Sequence, residues 1–354
     1  MNNPSTCPHF SLCSGCEVSD PFNPPIWKEA LPFFQTQNIS PKLITDGFSQ
    51  TRLKAKLAVR AGPQIGLFKR NTHDVISIPQ CLVHHKAINR AVSIIRDEII
   101  RNHTSVYCEK TANGWLKYIQ LFVERSTNRI QLVLIANSND NSFYKNLLKH
   151  DLWHSIWLNI HSGPTNRILG ESWQLLHGEP FLWQTIHQTS IPFHPAAFSQ
   201  THLPLFEKIV QKIESWIEPN MRVLELYAGV GVIGLCIRHK VKKLTLVENN
   251  PYAHLSFQQT KTEIPYLCID AKEADLSDSD LIIVDPPRKG LDPLLLKKLS
   301  EMSSGQLIYV SCGFESFKRD TERLLASGWK FKEATGYLLF PGTNHVEILT
   351  FLTK

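Results

Sequence analysis

The stretch Met221-Arg222-Val223-Leu224-Glu225-Leu226-Tyr227-Ala228-Gly229-Val230-Gly231-Val232-Ile233-Gly234 decides the fold. A short apolar run ends in a turn with three glycines, and the turn opens into a helix. Glycines at this spacing let the backbone approach a ligand at a helix N-terminus. Glu248 follows nineteen residues after Gly229, where an acid accepts the hydroxyls of a ribose. A nucleoside-type cofactor is therefore expected. The glycines alone do not separate NAD from S-adenosylmethionine.

Working outward, residues 243–248 read as a second strand and residues 251–262 as a helix. Further strands are expected at 266–270, 281–284 and 306–311, with helices at 292–302 and 315–327. Strand alternating with helix predicts an α/β, doubly wound parallel sheet. The end differs. Segments 330–334 and 345–352 are both strand-like and are joined by a loop holding Pro341-Gly342, which predicts an antiparallel finish. Such a sheet is similar to the Rossmann-like class I methyltransferase domain, assigned here to residues 195–354.

Residues 1–190 are expected to form a separate α+β domain. Residues 51–60 alternate with period two, placing Arg52, Lys54, Lys56 and Arg60 on one face and Leu53, Ala55, Leu57 and Val59 on the other. Residues 82–101 read as a helix, and 115–124 with 129–136 as a hairpin. Residues 1–200 carry nineteen Lys and Arg against thirteen Asp and Glu, whereas residues 201–354 balance at nineteen each. The cationic surplus predicts that the first part meets a polyanion. With no apolar run of membrane-spanning length and no signal-peptide pattern, a cytoplasmic protein without a membrane partner is expected.

Two motifs carry chemistry. Cys312 follows the apolar run 306–311, so its thiol should emerge at the carboxyl edge of the sheet, where such folds bind ligands. Asp285-Pro286-Pro287-Arg288-Lys289-Gly290 follows the run 281–284 and should face the same crevice. Methylation of an exocyclic base nitrogen commonly uses an aromatic after Pro-Pro, and Arg288 stands there instead. Methylation at C5 of uracil has different needs: C5 is a poor nucleophile until a thiolate adds at C6. A base must then remove the C5 proton. Glu347, a lone acid heading an apolar strand, is the candidate. Nearer the N-terminus, Cys7, Cys13 and Cys16 with the remote Cys81 could ligate a 4Fe-4S cluster, or zinc with His9 as a spare ligand.

Together these residues resemble the iron-sulfur-type RNA uracil-C5 methyltransferases, the bacterial family that makes 5-methyluridine in 23S ribosomal RNA. The resemblance spans nearly the whole chain. It rests on the four cysteines, on Phe193-His194-Pro195-Ala196-Ala197-Phe198-Ser199-Gln200-Thr201, on the glycine turn, on the Asp285 motif, and on Ser311-Cys312 with Glu347. It implies Cys312 as nucleophile and Glu347 as proton acceptor. It further implies that Gln200, Tyr227, Glu248, Asp285 and Asp270 bind S-adenosylmethionine, and that Cys7, Cys13, Cys16 and Cys81 hold a 4Fe-4S cluster. A monomer acting on RNA, 23S rRNA first and tRNA second, is the implied protein. Two departures stand out: His202 replaces the usual Asn after Gln-Thr, and Gly313 replaces the Asn usual after the nucleophile.

The rival reading is an NAD-dependent iron-sulfur oxidoreductase, which leaves Cys312 and the Pro-Pro-Arg motif without a purpose. Cys108, Cys236 and Cys268 are expected to be packed cysteines, the latter two on core faces. His84 and His85 are expected at the surface or facing RNA.

Overall fold

The structure, a computed structural model, describes residues 4–140, 142–162 and 167–354. The chain forms two compact units. One comprises Met1–Ser19 with Gly47–Gln184, and the other Asp20–Asp46 with Thr185–Lys354. The sequence placed the whole of residues 1–190 in one region, whereas Asp20–Asp46 packs with the C-terminal unit. Its strand Lys42–Ile44 pairs in parallel with Thr335–Tyr337, and its helix Pro25–Gln35 buries Trp27, Ala30 and Phe34 in that unit's core. Among the described residues no helix is long and apolar enough to cross a membrane.

The C-terminal unit is built on an eight-stranded sheet. Its order is Lys42–Ile44, Lys330–Tyr337, Glu347–Thr353, Gln306–Ser311, Leu281–Val284, Arg222–Leu226, Lys243–Val247 and Tyr266–Leu267. Leu281–Val284 is buried at every position, and Gln306–Ser311 at all but its first. These are the unbroken apolar runs of strands covered on both faces. Glu347–Thr353 runs antiparallel to both of its neighbours, so the antiparallel finish is present. From Arg222–Leu226 the chain builds outward to Tyr266–Leu267, then returns to lay Leu281–Val284 on the other side of the first strand. That reversal is the switch point at which open α/β sheets form a crevice.

The other unit carries a seven-stranded sheet flanked by the helix Lys86–Arg101. Leu116–Val123 and Ile130–Ala136 form the expected hairpin, but Ile130–Ala136 pairs in parallel with Trp153–Ile160, so the sheet is mixed. The alternation in Lys54–Arg60 holds through Leu57 and then fails. Ala58, Val59 and Arg60 are all buried. Arg60 turns inward because its guanidinium donates to Glu109, to the Lys117 carbonyl and to the Tyr118 hydroxyl. His84, expected at the surface, is 2% exposed. Cys268, expected on a core face, is exposed, as is Leu267 before it on the edge strand Tyr266–Leu267. Cys236 is buried as expected, while Cys108 is only half-buried.

Candidate active site

Four of the residues singled out in the sequence each stand immediately after a parallel strand. Tyr227 follows Arg222–Leu226, Glu248 follows Lys243–Val247, Asp285 follows Leu281–Val284, and Cys312 follows Gln306–Ser311. Neighbouring strands lie about 4.8 Å apart, so these side chains form a row along one sheet edge. Glu347 joins the row by the opposite route. Its strand is antiparallel, so its first residue lies where the parallel strands end, and Ile348 pairs with Ser311. Glu347 is thereby brought beside Cys312.

A cavity of about 560 Å³ within this unit is lined by Cys312, Glu347, Asp285, Tyr227 and Glu248. Gln200 and Asp270 line it as well. All seven catalytic and cofactor-site residues named from the sequence therefore share one cavity. The glycine turn lines it from Tyr227 to Val230. Tyr227, Gly229 and Gly231 have φ of +58°, +55° and +81°, and a tyrosine held in the left-handed region is the kind of strain that collects at ligand sites. Glu248 accepts the Gly229 N–H at 3.0 Å and the Asn250 N–H at 2.9 Å. The Tyr266 hydroxyl donates to the Gly229 carbonyl at 2.7 Å.

The electrostatics are those of crowded, buried acids. Burial first, and Glu248 second, push the Asp285 carboxyl up to about 7. Burial and Asp285 raise Glu347 well above the ordinary carboxylate range, while Arg288 pulls it back. Burial, Glu347 and Asp285 push the Cys312 thiol up to about 11, again opposed by Arg288. Oε1 of Glu347 is buried without a hydrogen-bond partner. A cavity so rich in carboxyl groups suits a ligand bearing positive charge. S-adenosylmethionine, with its sulfonium and ribose diol, fits the acids Asp285 and Glu248 and the glycine cradle.

Glu225 also lines the cavity and was given no role from the sequence. It accepts the Gly234 N–H at 2.7 Å, and burial pushes its carboxyl up to about 8. A lone acid inside the apolar strand Arg222–Leu226 was the available signal, the same one that picked out Glu347. Phe198, 65% exposed although aromatic, lies at the cavity as well.

The four N-terminal cysteines lie in the other unit. The thiols lie close enough to act on one another's ionisation. Cys16 is pushed up to about 11 by burial, with smaller contributions from Cys81, Cys13 and Cys7. Cys13 sulfur accepts the Gly15 N–H at 3.3 Å, and Cys81 sulfur accepts N–H groups of Val83 and His84. Among the described residues, however, no three His, Cys, Asp or Glu side chains converge as they would around a bound metal ion. The donor chemistry suits a cluster; the thiols as placed do not yet form one coordination shell.

The sheet and its cavity define an α/β methyltransferase of the S-adenosylmethionine-dependent class, and the comparisons agree. The chain superposes on the Pyrococcus abyssi tRNA (uracil-54, C5)-methyltransferase, solved with S-adenosyl-L-homocysteine, with a TM-score of 0.79 and 23% identity, over 92% of this chain and 83% of that one. That is a likeness of fold. A tRNA (uracil-5-)-methyltransferase family model matches residues 269–354. An uncharacterized RNA methyltransferase of Protochlamydia amoebophila (strain UWE25) is 39% identical over 99% of this chain and 97% of its own length. Another, from Lactococcus lactis, is 29% identical over 82% of this chain and 67% of its own. The chain belongs to the RNA (uracil-5-)-methyltransferase family and is an RNA methyltransferase.

Proposed function

We propose that this enzyme methylates C5 of one uridine in RNA through a covalent adduct at Cys312. The observation that carries the proposal is the meeting of Cys312, Glu347 and Asp285 in one cavity with the glycine turn. The target nucleotide leaves its stack to reach the cavity, as base-modifying enzymes require. Cys312, as its thiolate, forms a C6–S bond, which moves the electron pair of the C5=C6 double bond onto C5. Gln200, Tyr227, Glu248, Asp285 and Asp270 would hold S-adenosylmethionine, whose methyl the C5 electron pair would take as the methyl–sulfur bond breaks and its electron pair stays on the neutral thioether. Glu347 takes the C5 proton, the C5=C6 bond reforms, and Cys312 leaves as thiolate. Arg288, which opposes the raised pKa of both Cys312 and Glu347, favours the charged form each must adopt.

A 5-fluorouridine-containing RNA tests this directly, because fluorine does not leave as the proton does. The wild type should form a complex that survives denaturation, and Cys312→Ala should form none while binding S-adenosylmethionine within about threefold of normal. Full methylation by Cys312→Ala would end the proposal.

Two finer readings remain attached to it. The sequence resemblance favours 23S rRNA as substrate, whereas the tRNA (uracil-5-)-methyltransferase family model and the Pyrococcus abyssi tRNA methyltransferase favour tRNA. Mapping 5-methyluridine in both RNAs from a deletion strain decides between them. Cys7, Cys13, Cys16 and Cys81 would hold a structural 4Fe-4S cluster, a reading supported by four cysteines within one unit and by the N–H groups donated to the sulfurs of Cys13 and Cys81. Iron and acid-labile sulfide in anaerobically purified protein, lost in Cys81→Ser, test that reading.

A further inference from the structure

The loop from Asp285 to Asp292 carries the acid and the guanidinium that face Cys312, yet it holds itself together poorly. Pro286 and Pro287 have no N–H, and one internal backbone bond, Gly290 N–H to the Pro287 carbonyl at 2.8 Å, closes its turn. Four of its other backbone groups are fastened from outside. The Arg288 carbonyl accepts from the Ser316 hydroxyl at 2.8 Å, and the Lys289 carbonyl from the Arg319 guanidinium at 2.9 Å. The Leu291 N–H donates to Asp320 Oδ2 at 2.7 Å. On the far side the Asp292 N–H reaches the Tyr227 hydroxyl at 3.3 Å. Ser316, Arg319 and Asp320 lie on successive turns of the helix Phe314–Ala326, which begins two residues after Cys312.

Asp320 is the hub of this fastening. It is fully buried. Oδ2 also accepts from the Tyr309 hydroxyl at 2.9 Å, and Tyr309 belongs to the strand Gln306–Ser311 that immediately precedes Cys312. Oδ1 accepts from Arg319 Nε at 2.9 Å and Nη2 at 2.6 Å. One carboxylate thus touches the loop, the strand that delivers the thiol and the helix that follows it. The surrounding residues are fitted to this contact. A Cβ at Gly290 would meet Asp320 Oδ2 at 2.4 Å, and one at Gly313 would meet the Arg288 carbonyl at 3.1 Å.

We infer that Asp320, acting with Ser316 and Arg319, is a positioning residue that locks the Asp285–Asp292 loop against the strand and helix bearing Cys312. The inference rests on the reading of Cys312 as nucleophile. Asp320 touches neither base nor cofactor. Its work is to keep carboxyl, guanidinium and thiol in one relative geometry, and displacement of a reacting group by about 1 Å costs on the order of a hundredfold in rate.

The test uses Asp320→Asn, which keeps the shape, and Arg319→Ala, whose side chain is 59% exposed and whose loss the fold should survive. Each is assayed in the full-length protein for transfer of label from S-adenosyl-[methyl-³H]methionine to total RNA from a strain lacking this gene. Melting temperature and the cofactor Kd are measured alongside. The expected result is a kcat reduced roughly tenfold to a hundredfold in Asp320→Asn and at least about threefold in Arg319→Ala, with cofactor Kd within about threefold. Folded variants with wild-type kcat overturn the inference alone. So does a loss of rate that matches the unfolded fraction, since a purely structural role predicts that. If Asp320→Asn does not fold, Arg319→Ala and Ser316→Ala decide the matter by the same measures. A wild-type protein that forms no adduct with 5-fluorouridine RNA overturns the reading of Cys312 and this inference with it.

Discussion

Replacing Glu347 by Gln separates the two halves of the proposed reaction. Glu347 is 2% exposed, and its Oε1 has no partner in the protein. The glutamine is isosteric and cannot accept the C5 proton. Loss of a positioned general base costs about 10²–10⁴-fold in rate, or roughly 3–5 kcal/mol of barrier. The loss should fall on release and not on attack, because Cys312 and the cofactor turn are untouched. Methylated RNA should therefore remain attached through C6. Denaturing gels of labelled, ordinary uridine-containing RNA should show a retarded protein–RNA band in Glu347→Gln that is much weaker in the wild type, while free 5-methyluridine, read by mass spectrometry, falls by the stated factor. The fold should not suffer. The raised carboxyl of Glu347 adds stability that is fully present below the unfolded value near 4.5 and is lost as pH rises through its folded value. At alkaline pH the glutamine variant should thus melt at or above the wild type. Release of 5-methyluridine at near wild-type rate would refute the role of Glu347 as base.

Three other outcomes are expected. Asp285 is protonated below its raised value of about 7, and a sulfonium favours the anion, so S-adenosylmethionine should bind more tightly from about pH 6 to about pH 8 in calorimetric titrations. Asp285→Asn should flatten that dependence. Tyr266→Phe removes the 2.7 Å bond to the Gly229 carbonyl and should weaken cofactor binding by about 1 kcal/mol, roughly fivefold in Kd, with kcat at saturation unchanged. Gly234→Ala would place a Cβ 2.4 Å from Glu225 Oε2 and 2.7 Å from Leu246 Cδ2, which should cost about 1–3 kcal/mol in urea unfolding.

The site was more legible in the sequence than the fold around it. Residues 281–284 and 306–311 read correctly to the residue because buried parallel strands are apolar on both faces and stop sharply at Asp285 and Cys312. The parallel pairing of those two strands then puts Asp285 and Cys312 at one sheet edge. Glu225 escaped because its carboxyl faces the cavity from within a strand and not from its end. The segment 266–270 shrank to Tyr266–Leu267 because it is an edge strand with one neighbour. Pairings distant in sequence were invisible. The strand Lys42–Ile44 is only three residues long, and nothing local in it announces a partner at Thr335–Tyr337. Arg60 likewise looked like another cation on a solvated face until Glu109 and Tyr118 came beside it.

The interleaving of the two units has a consequence for how the protein is made. Between Ser19 and Asp20, between Asp46 and Gly47, and again between Gln184 and Thr185, the chain passes from one unit to the other. On the ribosome, which adds about 5–20 residues per second, Pro25–Gln35 and Lys42–Ile44 emerge long before the strand and helix that will cover them. The seven-stranded sheet has all its strands by Gly178, so it can close while the catalytic unit still lacks most of its sheet. A nascent chain stopped before residue 330 would leave Lys42–Ile44 with no strand to join. Completion of the catalytic unit therefore waits for Lys330–Tyr337 and Glu347–Thr353.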